Sequence, residues 1–290
     1  ASRRRPTRSG SFARGGVSMC DAVLYAVSDG GAVITFNRPD RLNAWSPAVH
    51  EGYFTSLDRA AADPDVRVIV VTGAGRGWCA GADMDVLQGI GDAGGFSDDD
   101  RPDGGGAEVA GRKEWQHTHA MTIPKPVIAA INGACAGLGF VHALACDIRF
   151  AAEGAKFTVA FGRRGLIGEW GLSWTLPRLV GQAVALDLMM SSRVFLAEEA
   201  RDLGVVNRVC SPDVLMDETL AYAADLAANV SPMSMAVMKQ QVYTHPQMPI
   251  EDALAESIRL MKESVRRPDF KEGVASFVEK RPPNFESLGG

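Results

Sequence analysis

The stretch that most constrains this chain is Ile131–Asp147, INGACAGLGFVHALACD, an apolar segment that carries Gly133, Gly137 and Gly139 and follows directly on a strand-like run, Val127–Ile131. A strand breaks into a helix there. Glycines at such a junction permit positive φ and close approach to the backbone, so free N–H groups at the helix start can face an oxyanion. The plainer alternative is that small residues simply allow tight packing. A second turn of the same kind, Trp78–Met84 (WCAGADM), follows the β-branched run Val66–Thr72 and precedes another helical pattern. Two strand-end turns with open N–H groups predict a pair of amide donors.

The 290 residues, 46% hydrophobic and 22% charged, are enough for one large core or a core with an appendage. A formal charge of −5 argues against a general nucleic-acid binder. No apolar run approaches the ~18 residues that a membrane span requires. The cysteines, Cys20, Cys79, Cys135, Cys146 and Cys210, are odd in number and lack CxxC spacing. Buried thiols in a reducing, cytoplasmic setting fit this pattern.

Ala1–Ser18 holds five arginines and no acidic residue, a composition that cannot bury a core. It reads as an extension outside the fold: a transit peptide, residues upstream of a start at Met19, or a basic tail for anionic partners. The expected organisation is a flexible 1–20, an α/β core over 21–210 and a helical region over 211–290. Val23–Val27 and Ala32–Phe36 flank a turn at Asp29-Gly30-Gly31 and predict a hairpin. The polar loop Asn37–Ala44 (NRPDRLNA) leads to a helix over Ser46–Ala61, with Ser46 as N-cap and Pro47 in its first turn. Arg41 in that loop is either solvated or placed to meet an anion. Gly73–Gly77 superficially resembles a dinucleotide fingerprint, but Trp78 stands where the third glycine belongs and no helix starts before Asp83, so NAD binding is rejected.

Gly89–Gly111 is rich in glycine and predicts a loop, and its Asp98, Asp99, Asp100 and Asp103 lack the alternating spacing of a calcium loop. On a predicted helix Glu114–Thr122, His117 and His119 point to different faces, which disfavours a shared metal; no metal site is expected. Short strands are predicted at Cys146–Ala151 and Lys156–Phe161. The segment Gly162–Gly181 sets Glu169 among Ile167, Trp170, Leu172 and Trp174. Such an acid either turns to solvent or keeps a raised pKa suited to proton transfer. Helices follow at Gln182–Ser191, Ala197–Leu203, Pro212–Asn229, Pro232–Tyr243 and Pro249–Val265, with Ser211-Pro212 and Ser231-Pro232 as start signals.

Taken in order, NRPDRLNA (37–44), GRGWCAGADM (75–84), KPVIAAINGACAGLGF (125–140), CDIRFAAEGAKF (146–157), LPRLVG (176–181), AEEARDLGVVNRV (197–209) and KEGVASFVEKRPPNF (271–285) resemble the crotonase superfamily, the enoyl-CoA hydratase and isomerase family of acyl-CoA enzymes. The resemblance spans roughly residues 21–286. It implies an α/β fold, a spiral of ββα units with a C-terminal helical region that packs trimers or dimers of trimers. It implies an acyl-CoA or enoyl-CoA thioester substrate, with coenzyme A as the substrate carrier and no tightly bound cofactor. It further implies that the Ala82 and Leu138 amides form an oxyanion hole, that Arg41, Leu42, Ala44, Ala80 and Asp83 bind CoA, and that Lys280 meets CoA phosphates from a neighbouring subunit.

The family's hydratases hold water between two glutamates, and here Val141 and Phe161 stand in their places. Neither can handle a proton. The family's isomerases use one later carboxylate, in a stretch similar to GLIGEWG, and Glu169 matches it. A double-bond shift with Glu169 as proton shuttle is therefore the leading expectation. Glu169 as nucleophile in a dehalogenase or hydrolase, as water activator in a hydratase, or an acyl-CoA binder without chemistry are the alternatives.

Overall fold

The computed structural model describes residues 21–94 and 116–288. β1 (Val23–Ser28) and β2 (Gly31–Phe36) pair antiparallel, and the turn residues Asp29 and Gly30 hold φ of 50° and 76°. That left-handed pair is what a tight two-residue hairpin needs. After the hairpin, α1 (Pro47–Ala62) begins where Ser46 accepts the Val49 N–H.

A unit of two strands and a helix then recurs. It reads β3 (Val68–Gly73), β4 (Gly77–Cys79), α2 (Met84–Asp92); β5 (Val127–Ile131), β6 (Ala134–Ala136), α3 (Leu138–Ala145); β7 (Ile148–Ala152), β8 (Lys156–Thr158), α4 (Leu172–Val180). Next come α5 (Gln182–Ser191), β9 (Phe195–Leu196), α6 (Ala197–Asp202) and β10 (Arg208–Cys210). The first strand of each unit joins a six-stranded sheet ordered β1-β2-β3-β5-β7-β10, and the second joins a four-stranded sheet ordered β4-β6-β8-β9. Each unit thus winds once between two sheets, which is the expected spiral. From β2 onward the large sheet is parallel. β3 and β5 are buried along their whole length, which explains why both read as unbroken apolar runs.

α7 (Leu215–Asn229) lies on the large sheet and buries Leu215, Thr219, Ala223 and Ala227. α8 (Pro232–Thr244), capped by Ser231, is tied to the starts of β5 and β7 through Asp147, which accepts from the Val127 N–H, meets the Lys239 ammonium at 2.7 Å and accepts from the Tyr243 hydroxyl at 2.9 Å. α9 (Ile250–Ser264) and α10 (Pro268–Glu279) remain largely exposed.

Several sequence expectations need correction. Ser211-Pro212 does not start a helix; a turn closed by the Val214 N–H on the Ser211 carbonyl delays α7 to Leu215. The strand expected over Lys156–Phe161 ends at Thr158, because Ala160 takes a φ of 65° and turns the chain. Of the helix expected over Glu114–Thr122, the described part is a 3₁₀ turn at His119–Thr122, and Glu114 lies outside the described residues. The Gly89–Gly111 loop begins as the last turn of α2; residues 95–111, with the aspartate cluster, lie outside the described residues, as does the arginine-rich 1–20. α4 and α10 lacked a sequence signal, since Pro177 interrupts the first pattern.

Glycine decides how closely the units stack. A Cβ on Gly139 would lie 2.1 Å from the Cys79 carbonyl oxygen, so only glycine lets α3 start against the end of β4. Gly139→Ala is predicted to destabilise the fold by about 3 kcal/mol, in the range of severe overpacking, with a fall of several degrees in Tm. Gly89→Ala, on α2 with nothing within 4 Å of the added carbon, should leave Tm unchanged or slightly raised in the same melt.

Candidate active site

The two glycine turns meet. A Cβ on Gly81 would fall 3.0 Å from the Ala136 carbonyl oxygen, and one on Gly137 would fall 3.7 Å from the Gly81 Cα. Ala82 and Leu138, each the next residue, are thereby set side by side. Trp45 pairs with Ala82 in a parallel bridge: its N–H donates to the Gly81 carbonyl at 2.7 Å, and its carbonyl accepts from the Asp83 N–H at 2.9 Å. Such a bridge uses the groups on either side of Ala82 and turns the Ala82 N–H to the opposite side. Leu138 is the first residue of α3, where an N–H has no partner within the helix and carries the positive end of its dipole. Among the described residues neither N–H donates to a backbone acceptor outside its own element. Two adjacent, unspent amides can bind one developing oxyanion.

The loop before α1 holds the Ala82 side in place. Arg38 donates to the Ala44 carbonyl at 2.8 Å and to the Asp83 carboxylate at 2.7 Å, and the Ala80 N–H donates to the Leu42 carbonyl at 3.1 Å. Buried Asn43 donates to the Gly77 carbonyl at 2.7 Å and accepts from the Arg38 N–H at 2.8 Å. Leu42 and Asn43 hold φ of 48° and 57°, and these contacts sustain that left-handed pair. The hydrogen bond from Arg38, against the opposing effect of burial, keeps the Asp83 carboxyl below its ordinary pKa, and the same carboxylate caps α2 at the Asp85 N–H. Arg41 is exposed and reaches Asp85 at 3.5 Å.

Apolar groups flank the amide pair. Val141 is buried one turn into α3, and the Phe161 ring lies 3.9 Å from where a Gly137 side chain would begin. Glu169 sits in the turn before α4, half-buried, and its backbone carbonyl accepts the Leu172 N–H. The next two residues, Trp170 and Gly171, hold φ of 55° and 80°. Burial pushes the Glu169 carboxyl above its ordinary pKa, while a hydrogen bond from the Trp170 side chain partly opposes that rise. The Trp170 ring packs at 4.2 Å on His117, and Gly171 lies against Thr118.

The site therefore brings together Arg41, Leu42, Ala44, Ala80, Ala82, Asp83 and Leu138 around two touching turns. Lys280 is the exposed C-cap of α10, and among the described residues no hydrogen bond or ion pair joins it to the 37–44 loop. Arg38 and Asn43 carry more of the geometry than Arg41, although all three lie in the NRPDRLNA stretch. His117 drew notice in the sequence only as a metal candidate, while Trp45, in the loop before α1, and His142, within the apolar pattern of α3, had no distinguishing signal.

The family described as enoyl-CoA hydratase/isomerase matches residues 27–288. A 1,2-epoxyphenylacetyl-CoA isomerase of Escherichia coli K12 is 33% identical over 92% of this chain and 99% of its own length. An enoyl-CoA hydratase structure from Mycobacterium marinum is 49% identical over 79% of this chain and all of that one, with a TM-score of 0.65. An enoyl-CoA hydratase structure from Polaromonas sp. JS666 is 30% identical over 91% and 99%, with a TM-score of 0.79. With the spiral fold and the paired turns already in place, these similarities establish that the chain belongs to the enoyl-CoA hydratase/isomerase family of acyl-CoA enzymes.

Proposed function

We propose that the protein is an enoyl-CoA isomerase that moves a double bond from the 3- to the 2-position of a CoA thioester. The observation that carries this reading is the distribution of acid groups. Val141 and Phe161 next to the amide pair can neither hold nor activate water, whereas Glu169 keeps a raised pKa beside Trp170. In this mechanism the Ala82 and Leu138 N–H groups donate to the thioester oxygen and so acidify the C2 hydrogen. Glu169 takes that proton, the electron pair moves onto the oxygen as an enolate, and the 3,4 double bond becomes the 2,3 bond as Glu169 returns the proton to C4. No cofactor or net redox change is needed. Each amide donor contributes on the order of 3–4 kcal/mol in the transition state. CoA itself is placed along Arg41, Leu42, Ala44, Ala80 and Asp83.

A hydratase reading, in which Glu169 activates water, draws support from the similarity to hydratases such as that of Mycobacterium marinum. The two readings part on the product, a shifted double bond or a 3-hydroxyacyl-CoA.

The same reading includes assembly of subunits. Along α9 and its C-cap, Ile250, Leu254, Ile258, Met261 and Val265 form an exposed apolar stripe at helical spacing, and α10 adds Phe277, which is 85% exposed. Such a face costs free energy in water, and copies of the chain packing through it would form a trimer or a dimer of trimers. Lys280, beside this face, would then reach the CoA phosphates of a neighbouring subunit.

Three outcomes check the proposal. Glu169→Gln should lower kcat for a 3-enoyl-CoA by about 10²–10⁴-fold with CoA-ester affinity retained, and native turnover by that variant would refute the proton shuttle. The carboxylate must be ionised to act, so kcat/KM should fall as pH drops through the raised Glu169 pKa. Trp170→Phe, which removes a hydrogen bond favouring the carboxylate, should move that acid limb to higher pH. In sedimentation, Leu254→Asp should yield smaller species than the native protein; a monomeric native protein would contradict the assembly.

A further inference from the structure

A buried pair of histidines is left over by this mechanism. His142 lies one turn below Leu138 on α3, fully buried, and its Nε2 is 2.9 Å from Nδ1 of His117. One nitrogen donates and the other accepts. The Nδ1 of His142 has no hydrogen-bond partner among the described residues. An unsatisfied polar atom in a core carries a desolvation cost that an apolar side chain of similar size would avoid. What the pair provides in return is visible at both ends. The His142 ring stacks on Trp45 with centroids 3.9 Å apart and planes 19° from parallel. Trp45 is the residue whose backbone grips Gly81 and Asp83 and so orients the Ala82 N–H. The His117 ring packs on Trp170, whose own left-handed φ of 55° is unfavourable for so bulky a residue and needs external support.

We propose that His117 and His142 are positioning residues, whose joined rings hold the Trp170 turn that presents Glu169 in fixed register with the Trp45 strap that aims the Ala82 amide. The inference rests on Glu169 as the proton carrier. The pair is neutral: burial holds both imidazoles well below the ordinary histidine pKa, with His50 on α1 as the nearby titratable group acting on each. His119, two residues on, is engaged separately with Asp58 at 2.7 Å. Neither member of the pair carries the reaction's proton; together they fix a distance.

Two ring-retaining substitutions isolate the link. His117→Phe keeps a ring against Trp170 and His142→Phe keeps the stack on Trp45, while each deletes the shared hydrogen bond. Each should lower the kcat for a 3-enoyl-CoA about tenfold or more with KM within twofold, as displacement of aligned groups does. The double variant should lose no more than the worse single, because all three lack the same bond. His117→Gln, which restores a hydrogen-bonding group, should recover kcat relative to His117→Phe and serves equally if a phenylalanine variant fails to fold. Additive losses, a kcat within twofold of native in both single variants, or no recovery with glutamine would overturn the proposal. Glu169→Gln is assayed alongside: turnover retained there removes the proton carrier, whereas turnover lost there but native in the histidine variants removes the positioning pair alone.

Discussion

The contact on which the site depends is the approach of two backbones at Gly81, Gly137 and Gly139. Peptide groups from the end of β4 and the start of α3 come so close that a methyl group on Gly139 would overlap the Cys79 carbonyl. This closeness follows from the spiral. Each unit sends its second strand into the small sheet, and β4 and β6 lie side by side there. Their C-terminal ends therefore open at the same place, and what opens there is a pair of N–H groups. The geometry is a consequence of sheet topology and glycine, with no side chain supplying the charge.

The surroundings hold that pair in place. Trp45 and Arg38 fix the Ala82 side by hydrogen bonds, while the axis of α3 fixes the Leu138 side. Val141 and Phe161 are buried apolar residues beside the two turns. Low-dielectric surroundings strengthen each electrostatic interaction within them and raise the pKa of a carboxyl group that they bury. Burial raises the Glu169 carboxyl pKa in this way, and the next residue, Trp170, holds a left-handed φ of 55°.

Much of this arrangement was legible in the sequence because it is local. The hairpin, the buried strands and the two glycine turns each have their own pattern of residues, and Ser46 and Ser231 announce their helices correctly. Ser211 did not, since the serine carbonyl closes a turn before α7 begins. Glu169 stood out as an acid in apolar company. What escaped depends on contacts between distant segments. The histidine pair joins residues 25 apart in sequence, and Arg38 reaches Asp83 across 45. Neither spacing carries a period. α4 was hidden by Pro177 within it.

In the proposed mechanism, two backbone amides and one carboxylate suffice for a proton shuttle that excludes water. The most direct test is to incubate the protein with a 3-enoyl-CoA in heavy water and follow the products by mass and by NMR. The proposed mechanism predicts a 2-enoyl-CoA whose C4 receives the hydrogen removed from C2, with little deuterium taken up from solvent and no 3-hydroxyacyl-CoA formed at a comparable rate. A 3-hydroxyacyl-CoA as the main product, or a double bond that stays in place without exchange at C2, would contradict it.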